Sequence, residues 1–152
     1  MKVLAIWKTK FDNLMVSLNI TNDNVEKVPH TFFISINDSI GTDEVPYFEN
    51  KENVLVLFFD DVEEDIAVMV QGNVQFAKAF TFEQAKQVIE FIEKHKDKQS
   101  CIVHCSAGIS RSGAIAEFVN DFFGGDYFEF KKANPRLYPN GHVLRTLKGA
   151  NL

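Results

Sequence analysis

The 152 residues read as an α/β domain with a central, mostly parallel sheet of four to five strands flanked by helices. Three observations predict it. Short runs rich in β-branched and aromatic residues alternate with segments of helical period, and no repeat or low-complexity linker separates them. The last strand-like run passes through a glycine-containing loop into an apolar helix. At this length, with 45% hydrophobic residues, one core is expected, and residues 1–152 are read as a single domain.

Val3 to Trp7, Thr31 to Ile36, Asn53 to Phe59 and Ser100 to His104 are the predicted strands, the last two buried. Thr81-Phe82-Glu83-Gln84 reads as a helix start, because the Thr81 hydroxyl can cap and Gln84 stands three residues on to reach back. Apolar residues recur at Ala85, Val88, Ile89 and Ile92, so this helix is expected to run to about His95. After Ser112, an apolar helix from Ala114 to Phe123 closes at Gly124-Gly125, where glycine accepts the left-handed conformation. A shorter helix spans Asp126 to Ala133. Asn134-Pro135 interrupts it, and Pro139-Asn140 opens final helical turns ending near Gly149. Gly41 to Asn50 and Asp60 to Ala79 are the least patterned stretches, and the second is long for a connection.

A net charge of −5 argues against a general nucleic-acid binder, which holds phosphates with clustered Lys and Arg. A local basic site stays open, with Lys131, Lys132 and Arg136 as its candidates. In a strand, Cys101 and Cys105 stand roughly 13 Å apart at about 3.3 Å per residue, too far for a disulfide. Free thiols suit a reducing compartment, so a cytoplasmic location is expected. Val3 to Trp7 is the sole apolar run before Lys8 and Lys10, so neither signal peptide nor membrane span is expected.

The chemistry concentrates in Ile102-Val103-His104-Cys105-Ser106-Ala107-Gly108-Ile109-Ser110-Arg111-Ser112-Gly113, which runs from a buried strand into a helix. Open α/β sheets place ligands there. Successive inward amides make an anion nest, to which the following helix adds its unpaired N–H groups. Gly108 permits the tight backbone. Arg111 supplies a planar fork able to hold two phosphate oxygens. Such a positive environment favours a nucleophilic thiolate at Cys105.

His-Cys, five residues, Arg-Ser resembles the signature of the protein tyrosine phosphatase superfamily, and the short chain resembles its dual-specificity branch. HCSAGI is similar to the tyrosine-specific enzymes and SRS to the dual-specificity form. Asn134 to Gly141, followed by Leu144 and Leu147, resembles the dual-specificity segment ending in Pro-Asn and a leucine-bearing helix. The resemblance spans roughly Thr31 to Leu147. It implies Cys105 as nucleophile and Arg111 as phosphate ligand, with the loop residues Ser106, Ala107, Gly108, Ile109 and Ser110 binding substrate. It also implies a Ser112 hydroxyl that donates to the Cys105 sulfur, a position that equally suits a helix N-cap. His104 is expected to bond backbone and orient the loop, and Cys101 to be core.

Cleaving a phosphate ester needs a proton for the departing oxygen. Asp60, Asp61, Glu63, Glu64 and Asp65 form a run whose ordinary reading is a solvated surface. The resemblance places the acid at Asp60 or Asp61, and aligns Asp61-Val62 with the position that usually carries it. If the strand from Asn53 alternates regularly, the two carboxylates face opposite ways, and only one can cross the cleft. An insertion between Asp65 and Ala79 accounts for the long reach to Cys105.

The expected reaction is phosphomonoester hydrolysis through a phosphocysteine, without metal or cofactor. A loop lacking Lys disfavours highly charged inositol lipids, so a phosphorylated protein or peptide is the expected partner, phosphotyrosine first and phosphoserine or phosphothreonine after it. The alternatives are an RNA 5′-phosphatase and a phosphopeptide-binding module without turnover. A sulfur-transfer or arsenate-reducing role would need further thiols.

Overall fold

The computed structural model describes residues 1–41 and 45–152. Thr42 to Glu44, part of the unpatterned stretch Gly41 to Asn50, lie outside the described residues. The elements follow as β1 (Lys2–Trp7), α1 (Lys8–Ser17), a 3₁₀ turn (Val25–Lys27), β2 (Thr31–Asn37), β3 (Val54–Phe58), β4 (Ile66–Val70), β5 (Asn73–Ala77), α2 (Phe82–Lys94), β6 (Ser100–Cys105), α3 (Arg111–Phe122), α4 (Tyr127–Ala133) and α5 (Gly141–Ala150).

Four strands form a parallel sheet in the order β1-β6-β2-β3, as the α/β reading requires. Side chains alternate across it. Phe32, Ile34 and Ile36 of β2 join Cys101, Val103 and Cys105 of β6 in a core shared with α2, α3, α4 and α5. Phe33 faces the other way, into a smaller core with Phe11 and Met15 of α1, Val25 and Phe48. Because both faces are covered, these strands read as continuous apolar runs. Trp7 pairs with Cys105 and Ser35 with His104. The carboxyl ends of all four strands therefore lie along one edge, and the loops that leave them share a single surface.

The helix limits have local causes. Gln84 N–H donates to Thr81 Oγ1 and Thr81 N–H to Gln84 Oε1, both at 3.0 Å, a reciprocal cap at the start of α2. At the end of α3, Gly124 has φ +70°, and Gly124 and Gly125 N–H return to Asp121 and Asn120 carbonyls. Asn134 interrupts the chain as expected and also secures it: its amide donates to Val3 O and accepts from Ala5 N–H, bonding to the outer side of β1.

Three features depart from the sequence reading. Helix α3 begins at Arg111, three residues before Ala114, because Arg111, Ser112 and Gly113 continue the helical turn. Helix α1 was not anticipated. Phe11 and Met15 are buried with helical spacing, but Trp7 occupies its cap position without a side-chain bond, and its first turn is basic where the helix dipole favours acid. The stretch Asp60 to Ala79 holds a second sheet, the antiparallel hairpin β4-β5, joined through Gln71 (φ 50°) and Gly72 (φ 80°). Two consecutive positive φ values make the tight turn whose twist matches a hairpin. Ile66-Ala67-Val68-Met69-Val70 is apolar at every position, so it lacks the alternation that announces a half-exposed strand. No helix of the described residues is long and apolar enough to cross a membrane.

Candidate active site

Cys105 ends β6, the segment 106–110 bends, and Arg111 opens α3. The bend's carbonyls are taken from outside: Lys8 N–H donates to Ser106 O (3.3 Å), Tyr138 N–H to Ile109 O and Asn140 N–H to Ser110 O (both 3.0 Å). This leaves the loop's amides for an anion. Gly108 has φ +70°, and a Cβ there would overlap the Ile6–Trp7 backbone, so only glycine fits. Its N–H points at Cys105 Sγ, 3.3 Å away.

Ser112 Oγ stands 3.1 Å from the same sulfur. The N-cap reading of Ser112 is corrected: α3 starts earlier, so the cap position falls to Ser110 and Ser112 sits within the first turn. Ser110 makes no cap bond, and its hydroxyl donates to Asp61 Oδ1 at 2.8 Å. Ala107 lies exposed on the loop.

Arg111 is buried, and its guanidinium is held on one side. Nη1 donates to Asp38 Oδ1 (2.7 Å) and Phe59 O (2.8 Å), and Nη2 to Ser106 Oγ (3.3 Å). Of five N–H groups, the Nε–H and one Nη2–H make no hydrogen bond among the described residues, and they form the edge that takes two oxygens of one anion. Asp38 follows β2 directly and also accepts from Ser106 Oγ. Sequence reasoning missed it, although an acid immediately beyond a buried parallel strand stands where such sheets place ligands.

The adjacent carboxylates Asp60 and Asp61 diverge. The strand ends at Phe58, so its alternation does not extend to them. Asp60 is buried and accepts from Ser39 N–H (2.9 Å), the Ser39 hydroxyl and Lys78 N–H (2.7 Å). Asp61 is exposed beside the loop, where Oδ1 accepts from Ser110 and from Asn140 Nδ2 at 2.8 Å. Asp65, further along the acidic run, accepts from Ala79 N–H and closes the base of the hairpin.

His104, expected to bond backbone and orient the loop, pairs instead with a side chain, the Ser35 hydroxyl, through Nε2 at 2.7 Å and packs on Phe11. Burial, with the Lys8 and Arg111 charges nearby, pushes its pKa down to about 3, so the ring is neutral. Its Nδ1 is buried without a hydrogen-bond partner among the described residues. Cys101 is fully buried, and burial alone pushes its thiol far up. Both cysteines are free. Among the described residues, no three His, Cys, Asp or Glu side chains cluster to hold a metal ion.

Residues 75–119, from β5 through the phosphate loop into α3, match the family model described as protein-tyrosine phosphatase. The matched segment, 45 of the 152 residues, contains the loop from Cys105 to Arg111 and so is similar to that family at the candidate site. No curated protein matches the sequence. Among solved structures, a similar fold occurs in PTPMT1 in complex with PI(5)P, at 15% identity and a TM-score of 0.52, covering 98% of this chain and 89% of that one. A human tyrosine phosphatase-like serine/threonine/tyrosine-interacting protein is similar at 18% identity and a TM-score of 0.48, over 87% and 88% of the two chains.

Proposed function

We propose that this chain hydrolyses phosphotyrosine in proteins, with phosphoserine and phosphothreonine as further substrates, through a phosphocysteine. The observation that carries the reading is Cys105 Sγ, set at the end of β6 between the Gly108 N–H and the Ser112 hydroxyl, with a free guanidinium edge of Arg111 on the same loop. In the first step the Cys105 thiolate attacks phosphorus and the ester oxygen leaves with a proton from Asp61. The loop amides and Arg111 hold the equatorial oxygens, and Asp38 holds Arg111 in line. In the second step Asp61 takes a proton from water as it attacks phosphorus, and Cys105 leaves as thiolate, to which Ser112 donates. Asp61 suits both steps because Oδ1 is anchored while Oδ2 makes no hydrogen bond among the described residues. A reducing compartment such as the cytoplasm would keep the nucleophile active.

The RNA 5′-phosphatase reading loses support. Lys131 donates to Leu137 O and Lys132 pairs with Glu129, so the supposed basic patch is reduced to Arg136. A complete nucleophile, arginine and carboxylate speak for turnover over mere binding. The test is hydrolysis of an aryl phosphate, phosphopeptides, PI(5)P and 5′-phosphorylated RNA by the wild type, Cys105→Ser and Cys101→Ser. Cys105→Ser is expected to lose at least roughly a thousand-fold in rate while still binding vanadate, and Cys101→Ser to keep most activity. Equal losses in the two variants would remove Cys105 as sole nucleophile, and turnover restricted to PI(5)P or RNA would replace the substrate class.

A further inference from the structure

Trp7 ends β1 in register with Cys105, and the next amide, of Lys8, bonds the phosphate loop. The indole is 39% exposed. Two cations from distant parts of the chain converge on it: Lys10 Nζ of α1 at 5.0 Å from the ring centroid, and the Arg136 guanidinium, beyond α4, at 5.6 Å. Neither has a carboxylate within 4.0 Å among the described residues, although the chain carries 21 Asp and Glu against 16 Lys and Arg. Both side chains are exposed, and both line one shallow cavity of about 200 Å³ with Trp7 and Gly108 in its wall.

We propose that Trp7, Lys10 and Arg136 form a second anion subsite that engages an acidic side chain of the substrate peptide, a carboxylate or a second phosphate near the phosphorylated residue. This rests on the phosphopeptide reading above. Two like charges drawn to one ring repel each other, and an anion placed between them relieves the repulsion while the aromatic contacts persist. Trp7 stands about 4.8 Å from Cys105, one strand spacing, and an extended peptide advances about 3.3 Å per residue. The anion is thus supplied one or two residues from the phosphoresidue. Two cations are too few for a polynucleotide backbone, which is held at many phosphates, or for an anionic membrane, which is held by clusters of roughly four to eight.

The test compares kcat/KM for one phosphotyrosine peptide carrying Glu, Gln or a second phosphoresidue at the flanking position. The Lys10→Gln/Arg136→Gln double variant is measured beside the wild type, with an aryl phosphate as control. At low salt the wild type should favour the acidic peptides by roughly three- to ten-fold over the Gln peptide, and 0.5 M salt should shrink the margin. The double variant should lose it and hydrolyse the aryl phosphate unchanged. Whichever acidic peptide gains more identifies the source of the anion. Trp7 is the single tryptophan, so its emission gives an independent readout: titrating the Glu peptide into Cys105→Ser should change it more than the Gln peptide does. Peptide turnover indifferent to flanking charge, or a preference that survives in the double variant, overturns the subsite alone. Aryl phosphate turnover without peptide turnover overturns the phosphopeptide reading and the subsite with it.

Discussion

Two neighbouring carboxylates perform unlike tasks. Asp60 satisfies three donors from two segments, whereas Asp61 leaves an oxygen open beside the loop. A good leaving group departs without a proton, so Asp61→Asn is expected to slow an alkyl or tyrosyl phosphate by roughly a hundred-fold or more while sparing an activated aryl phosphate. Asp60→Asn turns an acceptor into a donor that faces donors. It should cost about 1–3 kcal/mol, read as a lower urea midpoint, with the leaving-group dependence unchanged. If Asp60→Asn instead shows the leaving-group effect, the two assignments exchange. The loop from Cys105 to Arg111 was legible because its parts are contiguous and glycine announces its bend. Asp38 was not, because it meets Arg111 from 73 residues away and Ile36-Asn37-Asp38-Ser39 reads locally as a strand running into an ordinary turn.

Among the elements, the β4-β5 hairpin stands apart. Ala67, Met69, Val74 and Phe76 share one face by register, and all four are exposed. Ile66 pairs with Ala77, so the hairpin's ends lie about 5 Å apart and Asp65 can be joined to Lys78 by two glycines. Because the hairpin adds no residue but Ala77 to the buried set, this deletion should lower the melting temperature by only a few degrees and keep aryl phosphate turnover within about three-fold. Loss of a cooperative thermal transition would show instead that the hairpin belongs to the core. The elements that the sequence disclosed carry their own punctuation, as Thr81 with Gln84 and Gly124 with Gly125 do for α2 and α3. Helix α1 has no side-chain cap, and the Gln-Gly turn lacks the usual Asn or Asp, so tertiary packing rather than local chemistry defines both.

For the whole molecule, the neutral His104 couples stability to pH. Its pKa is about 3 in the fold and near 6.5 when exposed, so the unfolded chain binds the extra proton between those values. Stability from this group is complete above about pH 6.5 and is lost as pH falls toward 3, by at most about 1.4 kcal/mol per unit. Urea unfolding at pH 7.5 and 5.0 should show the wild type losing about 2 kcal/mol more than His104→Gln over that interval. Equal losses would mean that other groups set the acid limit. The attachment of Asn134 to β1 bears on how molecules meet one another. β1 is an outer strand, and a bare outer strand offers a template on which another chain can polymerise. One side-chain amide spends its donor and acceptor on Val3 O and Ala5 N–H, the groups such a chain would seek, so an invading strand finds this border of the sheet already occupied.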